Sequence, residues 1–306
     1  MIDFDKYTIA EEMIIHEPVP PERELSRNVL SACIELERVS KLPTIRLIPG
    51  NKYSLDDLQK MSTPRIIGTP DICAEYWVPQ YEVDRLTETK IGGYPYWPKN
   101  MQYPTTKSGQ QLVMVAQLNL DKLPKIPNMP TKGLLQFFTD SYDQQIGKVV
   151  YHSTVDKKNA KFDIQITTLQ IIDYFPINGV YYPTPKLETM GITTGCEDFW
   201  PKLCEQLNKK LGTEYKNYRD IPKNIRDIVY NSKMGNSWGC RIGGYPNFTQ
   251  SDIYYERMNK KLQLILQLDS EAGMMWGDSG IANFFTPLAD LKKKKFENTV
   301  FNWDCY

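Results

Sequence analysis

Two aspartates near the C-terminal end of the sequence are close enough along the chain to form a catalytic pair or a cation site. Asp269 ends the apolar run LQLILQLD at 262–269, and Asp278 lies nine residues later in the segment WGDSG at 276–280. If a turn brings the two side chains together, they could act as general acid and base in a hydrolysis, or as ligands of a cation. An aspartate in a turn also commonly bonds its own backbone, which is the competing structural interpretation.

The other reactive groups form no recognisable catalytic or metal-binding set. The two histidines, His16 and His152, are far apart in the sequence, and the six cysteines contain no CxxC pair. Cys240 and His152 would act as nucleophile and base only if the fold brought them together. A structural zinc site requires clustered Cys and His ligands, and nucleotide loops require glycine patterns that are missing here. We therefore predict no metal and no cofactor.

Three motifs occur twice in the sequence, in the same order. IGGYP at 91–95 matches IGGYP at 242–246, AQL at 116–118 matches LQL at 266–268, and GLLQFF at 133–138 matches GIANFF at 280–285. The offsets of the three pairs are 151, 150 and 147 residues. A period this long is not that of a solenoid, so the matches predict an internal duplication into two β units that pack as a pseudo-symmetric pair. Asn119 of the first copy corresponds to Asp269 of the second, so chemistry at Asp269 would be asymmetric.

The repeated motifs supply most of the candidate binding residues. A cation precedes each IGGYP, an aromatic residue follows it, and a glutamine lies inside each middle motif; WGDSG adds a tryptophan and an aspartate. The candidates are Lys90, Trp97, Gln117, Arg241, Phe248, Gln267, Trp276 and Asp278. In the functional hypothesis the aromatic residues flank a partner surface at the junction of the two units. In the structural alternative Gly-Gly forms a tight turn, and each buried glutamine binds the backbone of a neighbouring loop.

Hydrophobic periodicity predicts the elements that position these residues. Apolar spacing predicts helices over 20–40, after Asp198 and after Pro222. Prolines recurring between 62 and 104 indicate short strands and turns. Apolar or alternating runs predict strands at 111–120, 133–138, 147–155, 161–173, 262–269, 281–285 and in the C-terminal TVFNWDCY.

The combined motifs resemble the YwqG-like family over about residues 60–306. They are IGGYP followed by an aromatic residue and WP, then AQLNL and GLLQFF, and later IGGYP-x-x-TQSD, LILQLD, WGDSG and FF. The resemblance implies a mainly β (α+β) fold, with internally duplicated β-roll-like units and peripheral helices. It implies no function, because that family is itself a domain of unknown function.

The expected organisation is a single compact domain with four parts. They are an N-terminal helical extension (1–60), a first β repeat unit (61–175), a helical connector (176–235) and a second β repeat unit (236–306).

Charge and hydropathy restrict the classes of partner. The 37 basic residues equal the 37 acidic ones, so no overall field favours nucleic acid or an anionic membrane. No apolar run reaches the length of about 18 residues that a membrane span needs. The N-terminus carries acids where a signal peptide needs positive charge, so we expect a cytoplasmic protein with reduced cysteines.

These observations favour a non-catalytic binding or protein-interaction module, with its site at the junction of the two repeats. The partner would be an unknown protein or a small-molecule ligand. One alternative is a small-molecule hydrolase that uses Asp269 and Asp278. Another is glycan binding, which would need a planar row of exposed Tyr and Trp side chains.

Overall fold

The computed structural model describes residues 21–61, 64–65, 78–170, 172–232, 234 and 237–306. Within these ranges the chain forms seven α-helices and fourteen β-strands. The helices are α1 (Pro21–Val39), α2 (Leu55–Met61), α3 (Gln80–Asp84), α4 (Phe199–Leu211), α5 (Lys223–Asn231), α6 (Tyr254–Asn259) and α7 (Leu288–Leu291). The strands are β1 (Leu42–Ile48), β2 (Lys52–Tyr53), β3 (Pro64–Arg65), β4 (Val78–Pro79), β5 (Lys90–Gly92), β6 (Val113–Asn119), β7 (Leu134–Thr139), β8 (Gly147–His152), β9 (Val180–Tyr181), β10 (Thr184–Met190), β11 (Arg241–Gly243), β12 (Leu262–Asp269), β13 (Ile281–Pro287) and β14 (Val300–Asp304).

Two six-stranded antiparallel sheets form the centre of the protein. The first sheet has the order β2-β9-β5-β6-β7-β8, and the second has the order β10-β1-β11-β12-β13-β14. Strands β3 and β4 form a separate two-stranded ribbon. The seven described helices accompany these two sheets. The mainly β (α+β) class predicted from the sequence is therefore confirmed.

One apolar cluster joins the two sheets. It contains side chains of β6 and β7 from the first sheet and of β12 and β13 from the second. The rings of Phe137 and Phe284, which occupy matching positions in the repeated motifs, meet with their centroids 5.1 Å apart. Each such ring contributes about 1.5–3 kcal/mol through removal of apolar surface from water. The continuous apolar runs of the sequence therefore correspond to strands that are buried on both faces.

The long helices follow their sequence signals. In α1 the side chains of Val29, Cys33 and Leu36 are buried, as their spacing of four and three residues predicts. Helix α4 ends at Gly212, whose φ of +67° is the left-handed conformation that glycine adopts without a Cβ penalty. Both predicted helices are confirmed. Among the described helices, none is long and apolar enough to cross a membrane.

Strand β1 lies inside the second sheet although it comes from the N-terminal part of the chain. It pairs with β10 along its whole length and with β11 through Thr44, Ile45 and Arg46. The Thr44 hydroxyl is buried and donates to the carbonyl oxygens of the facing strand. The segment predicted as a helical extension thus also supplies a sheet strand, in which Thr44, Ile45 and Leu47 are buried. The four predicted domain boundaries stay predictions.

The prediction of a strand over 161–173 is wrong for the described residues of that segment, which form coil and turns. Their amides bind loops and side chains instead of a neighbouring strand. Lys161 donates to the carbonyl of Trp97 at 2.7 Å, and Ile164 donates to the hydroxyl of Tyr94 at 3.2 Å. The alternating isoleucines reflect the burial of Ile164 under this loop, since an apolar side chain can be buried without a strand partner.

Candidate binding cavity beside the second IGGYP segment

A cavity of about 380 Å³ lies against the second IGGYP segment. Its walls come from the start of β1, from the connector between β6 and β7, from residues 243–246, and from α6, β12 and β13. The apolar walls include Leu42, Ile126, Leu264 and Phe285. This volume is within the range of about 300–1,000 Å³ that is usual for ligand sites. The connector belongs to the predicted first unit and β12 to the second, so the cavity lies where the predicted units meet.

A glycine of the motif sets one wall of this cavity. Gly243 has a φ of +68°, and a Cβ added to it would lie 2.7 Å from Cδ1 of Ile126. The positive φ favours glycine, and any larger residue would also push back the end of the Ile126 side chain, which forms this wall. The second IGGYP therefore shapes the cavity through its backbone, a role that the tight-turn interpretation of the sequence did not include.

Four polar side chains lie around the apolar walls. Asn128 Nδ2 donates to Gln263 Oε1 at 3.0 Å, and Arg257 is bound to Asp252 at 2.6 Å. Lys261 is exposed and takes part in no ion pair within the described ranges. The cavity thus combines apolar walls with one cation that is available to a ligand.

The central glutamine of the first sheet holds a loop. Gln117 Nε2 donates to the carbonyl oxygens of Leu86 and Glu88, both at 2.9 Å. Its Oε1 accepts the backbone N–H of Tyr96 at 3.1 Å. The Gln117 side chain is fully buried, so these bonds offset the cost of burying an amide.

The central glutamine of the second sheet makes the corresponding bonds. Gln267 Nε2 donates to the carbonyl oxygens of Ser237 and Gly239, at 2.8 and 3.0 Å, and its Oε1 accepts the N–H of Asn247 at 2.8 Å. Each of these three partners is 151 residues beyond the partner in the first sheet. Both glutamines, proposed as binding residues from the sequence, are buried and bond loop backbone.

The cation before the first IGGYP forms a buried ion pair. Lys90 Nζ lies 2.8 Å from Glu82 Oε2, and neither side chain is exposed to solvent. The same carboxylate oxygen accepts the N–H of Tyr94 at 2.8 Å, and Glu82 also accepts the hydroxyl of Tyr182. Lys90 therefore cannot contact a partner at the surface, which corrects its predicted role.

The cation before the second IGGYP forms no ion pair with a carboxylate in the described ranges. Arg241 Nη1 donates to Met190 Sδ at 3.1 Å, Nη2 donates to the carbonyl of Trp238, and Nε is buried without a hydrogen-bond partner. The pKa of Arg241 is lowered to about 10, mainly by burial and also by the nearby Arg46, while Glu188 and Asp269 oppose the shift. Arg241 is therefore a buried cation that is poorly compensated, rather than the surface contact predicted from the sequence.

The predicted aromatic surface is not present at Trp97 and Trp276. Trp97 is 1% exposed and packs against Tyr103 and Phe138, and Trp276 is fully buried in the cluster between the sheets. Phe248 is 9% exposed and packs against Phe285. These rings fill apolar cores, which is the commoner use of large aromatic side chains. The prediction that they flank a partner surface is therefore corrected.

The two candidate catalytic carboxylates lie in different environments. Asp269 is buried and accepts the N–H of Gly239, and burial is the main cause that raises its pKa. Asp278 is exposed in the turn after Trp276, and its carbonyl oxygen accepts the N–H of Tyr306. Neither residue lines the cavity.

Cys240 and His152 are not brought together either. Cys240 Sγ accepts the N–H of Asp269 in the second sheet, and burial raises the pKa of its thiol. His152 lies at the end of β8 in the first sheet, where its Nε2 is 2.7 Å from Gln136 Oε1. A buried thiol that accepts a backbone N–H in the second sheet and an imidazole that bonds Gln136 in the first do not form a nucleophile–base pair.

His152 makes the stability depend on pH. Burial lowers its pKa from 6.5 to about 4, so the imidazole stays neutral in the folded state while the unfolded chain takes up a proton. We expect the free energy of unfolding to be unaffected by His152 above about pH 6.5 and to fall by about 2 kcal/mol between about pH 6.5 and pH 5. Urea unfolding across this range measures the slope, and His152→Gln, which retains a donor for Gln136, should flatten it. An equal slope in wild type and variant would contradict the expectation.

A cluster of Cys196, Asp198 and Asp252 was missed at the sequence level because its members are far apart in the chain. Their ligand atoms lie within 4.8 Å of one another. Arg257 already occupies the place of a cation, at 2.6 Å from Asp252 and 3.6 Å from Asp198. The cluster therefore fixes Arg257, and through it helix α6, at the edge of the cavity.

Comparison with known proteins assigns the chain to a family without assigning an activity. No curated protein matches the chain. The family model described as a domain of unknown function (DUF1963) matches residues 89–305, which is more than half of the chain. The chain therefore belongs to the DUF1963 family.

Proposed function

We propose that the protein is a non-catalytic binding module whose ligand occupies the cavity beside the second IGGYP segment. The observation that carries the proposal is the apolar cavity of about 380 Å³ whose lining residues include Lys261, which has no ion partner among the described residues. Apolar walls favour an apolar body, and a lysine favours a negatively charged group on the same molecule. The proposed ligand is thus a small amphipathic anion.

We also propose that the two sheets are duplicated units and that the site belongs to their junction. Gln117 and Gln267 make corresponding hydrogen bonds to loop residues that lie 151 positions apart in the chain, which supports this interpretation. So do the bulges in the β6–β7 and β12–β13 ladders, which lie at Met114/Ala116 and Leu264/Leu266. A cytoplasmic location is part of the proposal, since the five described cysteines are free thiols.

A fluorescent amphipathic anion tests the cavity directly. The probe is 1-anilinonaphthalene-8-sulfonate, whose emission increases in apolar surroundings, titrated into the native protein. In Met258→Trp an indole replaces a half-exposed side chain that lines the cavity, so it should reduce the affinity at least about tenfold with little loss of stability.

The matched control is Met275→Trp. Met275 is as exposed as Met258 and does not line the cavity, so this variant should bind the probe as the wild type does. Equal probe affinity in both variants, or no saturable binding to the wild type, would exclude the cavity as the site.

The hydrolase alternative has less support. A carboxylate pair needs both groups to face one substrate pocket, whereas Asp269 is buried against Gly239 and Asp278 is exposed. Hydrolytic activity lost on Asp278→Asn without loss of stability would favour that alternative over the binding module.

A further inference from the structure

Met190 occupies in the second sheet the position that Glu82 occupies in the first. In the first sheet Glu82 Oε2 lies 2.8 Å from Lys90 Nζ and 2.8 Å from the N–H nitrogen of Tyr94. In the second sheet Met190 Sδ lies 3.1 Å from Arg241 Nη1 and 3.4 Å from the nitrogen of Tyr245. Lys90 and Arg241 are 151 residues apart, and so are the two tyrosines.

The glycines between them support the same correspondence. A Cβ added to Gly93 would lie 2.7 Å from Glu82 Oε2, and a Cβ added to Gly244 would lie 2.5 Å from Met190 Sδ. The two glycines have φ values of +79° and +75°. One cation, one amide and one glycine thus surround a carboxylate oxygen in the first sheet and a thioether sulfur in the second.

We propose that the second sheet contains an oxyanion-binding site in which a ligand carboxylate or phosphate replaces the Met190 thioether and binds Arg241 and the Tyr245 N–H. This inference goes beyond the cavity proposal and does not depend on it. The ligand class follows from the first sheet, where the protein's own carboxylate makes the corresponding contacts.

The electrostatics of Arg241 favour such a ligand. Its side chain is 4% exposed, its Nε has no partner among the residues that the structure describes, and a thioether is only a weak acceptor. A guanidinium prefers the paired oxygens of a carboxylate or phosphate, and burying it without them is costly. Asp269 does not supply them, because it accepts the N–H of Gly239 and forms no ion pair with Arg241. Glu188 is paired with Lys186 at 2.8 Å.

The position of Met190 permits the exchange. It is the last residue of β10, the edge strand of the second sheet; most of that strand is exposed, and Met190 itself is buried at 7% exposure. Methionine has three rotatable bonds and no branch, so its side chain can change rotamer and vacate the site. In the first sheet the corresponding carboxylate is held by α3 and is itself fully buried, so no exchange is possible there.

Small oxyanions test the site. Thermal unfolding of the full chain is measured in sodium propionate, which matches a glutamate side chain, and in sodium phosphate, against sodium chloride at equal ionic strength. The site predicts a saturable rise of the melting temperature in at least one oxyanion. Met190→Ala removes the thioether, so it should bind the effective oxyanion at least about tenfold more tightly than the wild type.

Two variants separate the site from general salt effects. Met274→Ala removes another buried methionine and should show no enhanced response. Met190→Glu supplies the carboxylate from the protein itself, so it should raise the melting temperature in chloride and abolish the response to oxyanions. A propionate response would identify carboxylate ligands, and a response to phosphate alone would identify phosphate ligands. The proposal is overturned if Met190→Ala responds no more than Met274→Ala, or if Met190→Glu keeps the full response.

Discussion

Glu82→Gln is expected to lower the free energy of unfolding by about 3–5 kcal/mol, because it leaves the ammonium of Lys90 buried and unpaired. Both side chains are fully inaccessible to solvent, and the Glu82 carboxylate also accepts bonds from Tyr94 and Tyr182. An uncharged amide can still accept one of these bonds, but it cannot compensate the lysine. Urea unfolding monitored by tryptophan fluorescence gives the change directly.

The double variant Glu82→Gln/Lys90→Met isolates the charge. Since it removes both members of the pair, it should recover part of the stability that the single variant loses. Glu256→Gln is the matched control, because Glu256 pairs with Lys260 at the surface, with both side chains largely exposed. That substitution should change the stability little. A loss for Glu82→Gln no larger than for Glu256→Gln would contradict the buried-charge explanation.

Gly92→Ala is expected to cost about 2–5 kcal/mol, combining about 1–2 kcal/mol of left-handed backbone strain with about 1–3 kcal/mol of overpacking. Gly92 has a φ of +71°, and an added Cβ would lie 2.3 Å from the carbonyl oxygen of Gly179 and 2.6 Å from the Thr168 hydroxyl. The obstacle includes backbone of the neighbouring loop, so it cannot turn away as a side chain would. Equilibrium unfolding in urea measures the loss.

Gly109→Ala separates the two contributions to that loss. Gly109 has a φ of +88°, and an added Cβ would meet no atom within 4 Å. This variant should therefore lose only the backbone part, about 1–2 kcal/mol. If both alanine variants lost the same free energy of unfolding, the close approach of the loop at Gly92 would not contribute to the loss.

The strands and long helices could be predicted from the sequence because their signals are local. The buried run of β6 and the face of α1 depend on spacing within ten to twenty residues, which the sequence displays directly. The prediction of a strand at 161–173 was wrong for a related reason. An alternating pattern indicates which side chains are buried, but it does not show that a partner strand is present.

The candidate site depends on relations that no local pattern contains. The cavity is lined by segments as distant as Leu42, Ile126 and Leu264, and its shape follows from their packing. The Lys90–Glu82 pair was not predicted because Glu82 lies in a proline-rich region, where the spacing of apolar residues does not show which side chains are buried. Comparison of the two copies in the sequence identified only Asp269, which replaces Asn119, as a candidate difference. The substitution of Met190 for Glu82 is invisible to sequence alignment, since these two residues come from non-equivalent elements, β10 and α3.

The place of β1 in the second sheet has a consequence for how the protein is made. Thr44 pairs with Gly243, so the ribosome must add about 200 further residues before β1 meets its inner neighbour. At about 5–20 residues per second this takes on the order of 10–40 seconds. During that interval the nascent chain carries a strand with an open hydrogen-bonding edge, the kind of surface that pairs with other chains. Synthesis of this protein therefore includes a period in which residues 42–48 keep an open strand edge until β11 has been made.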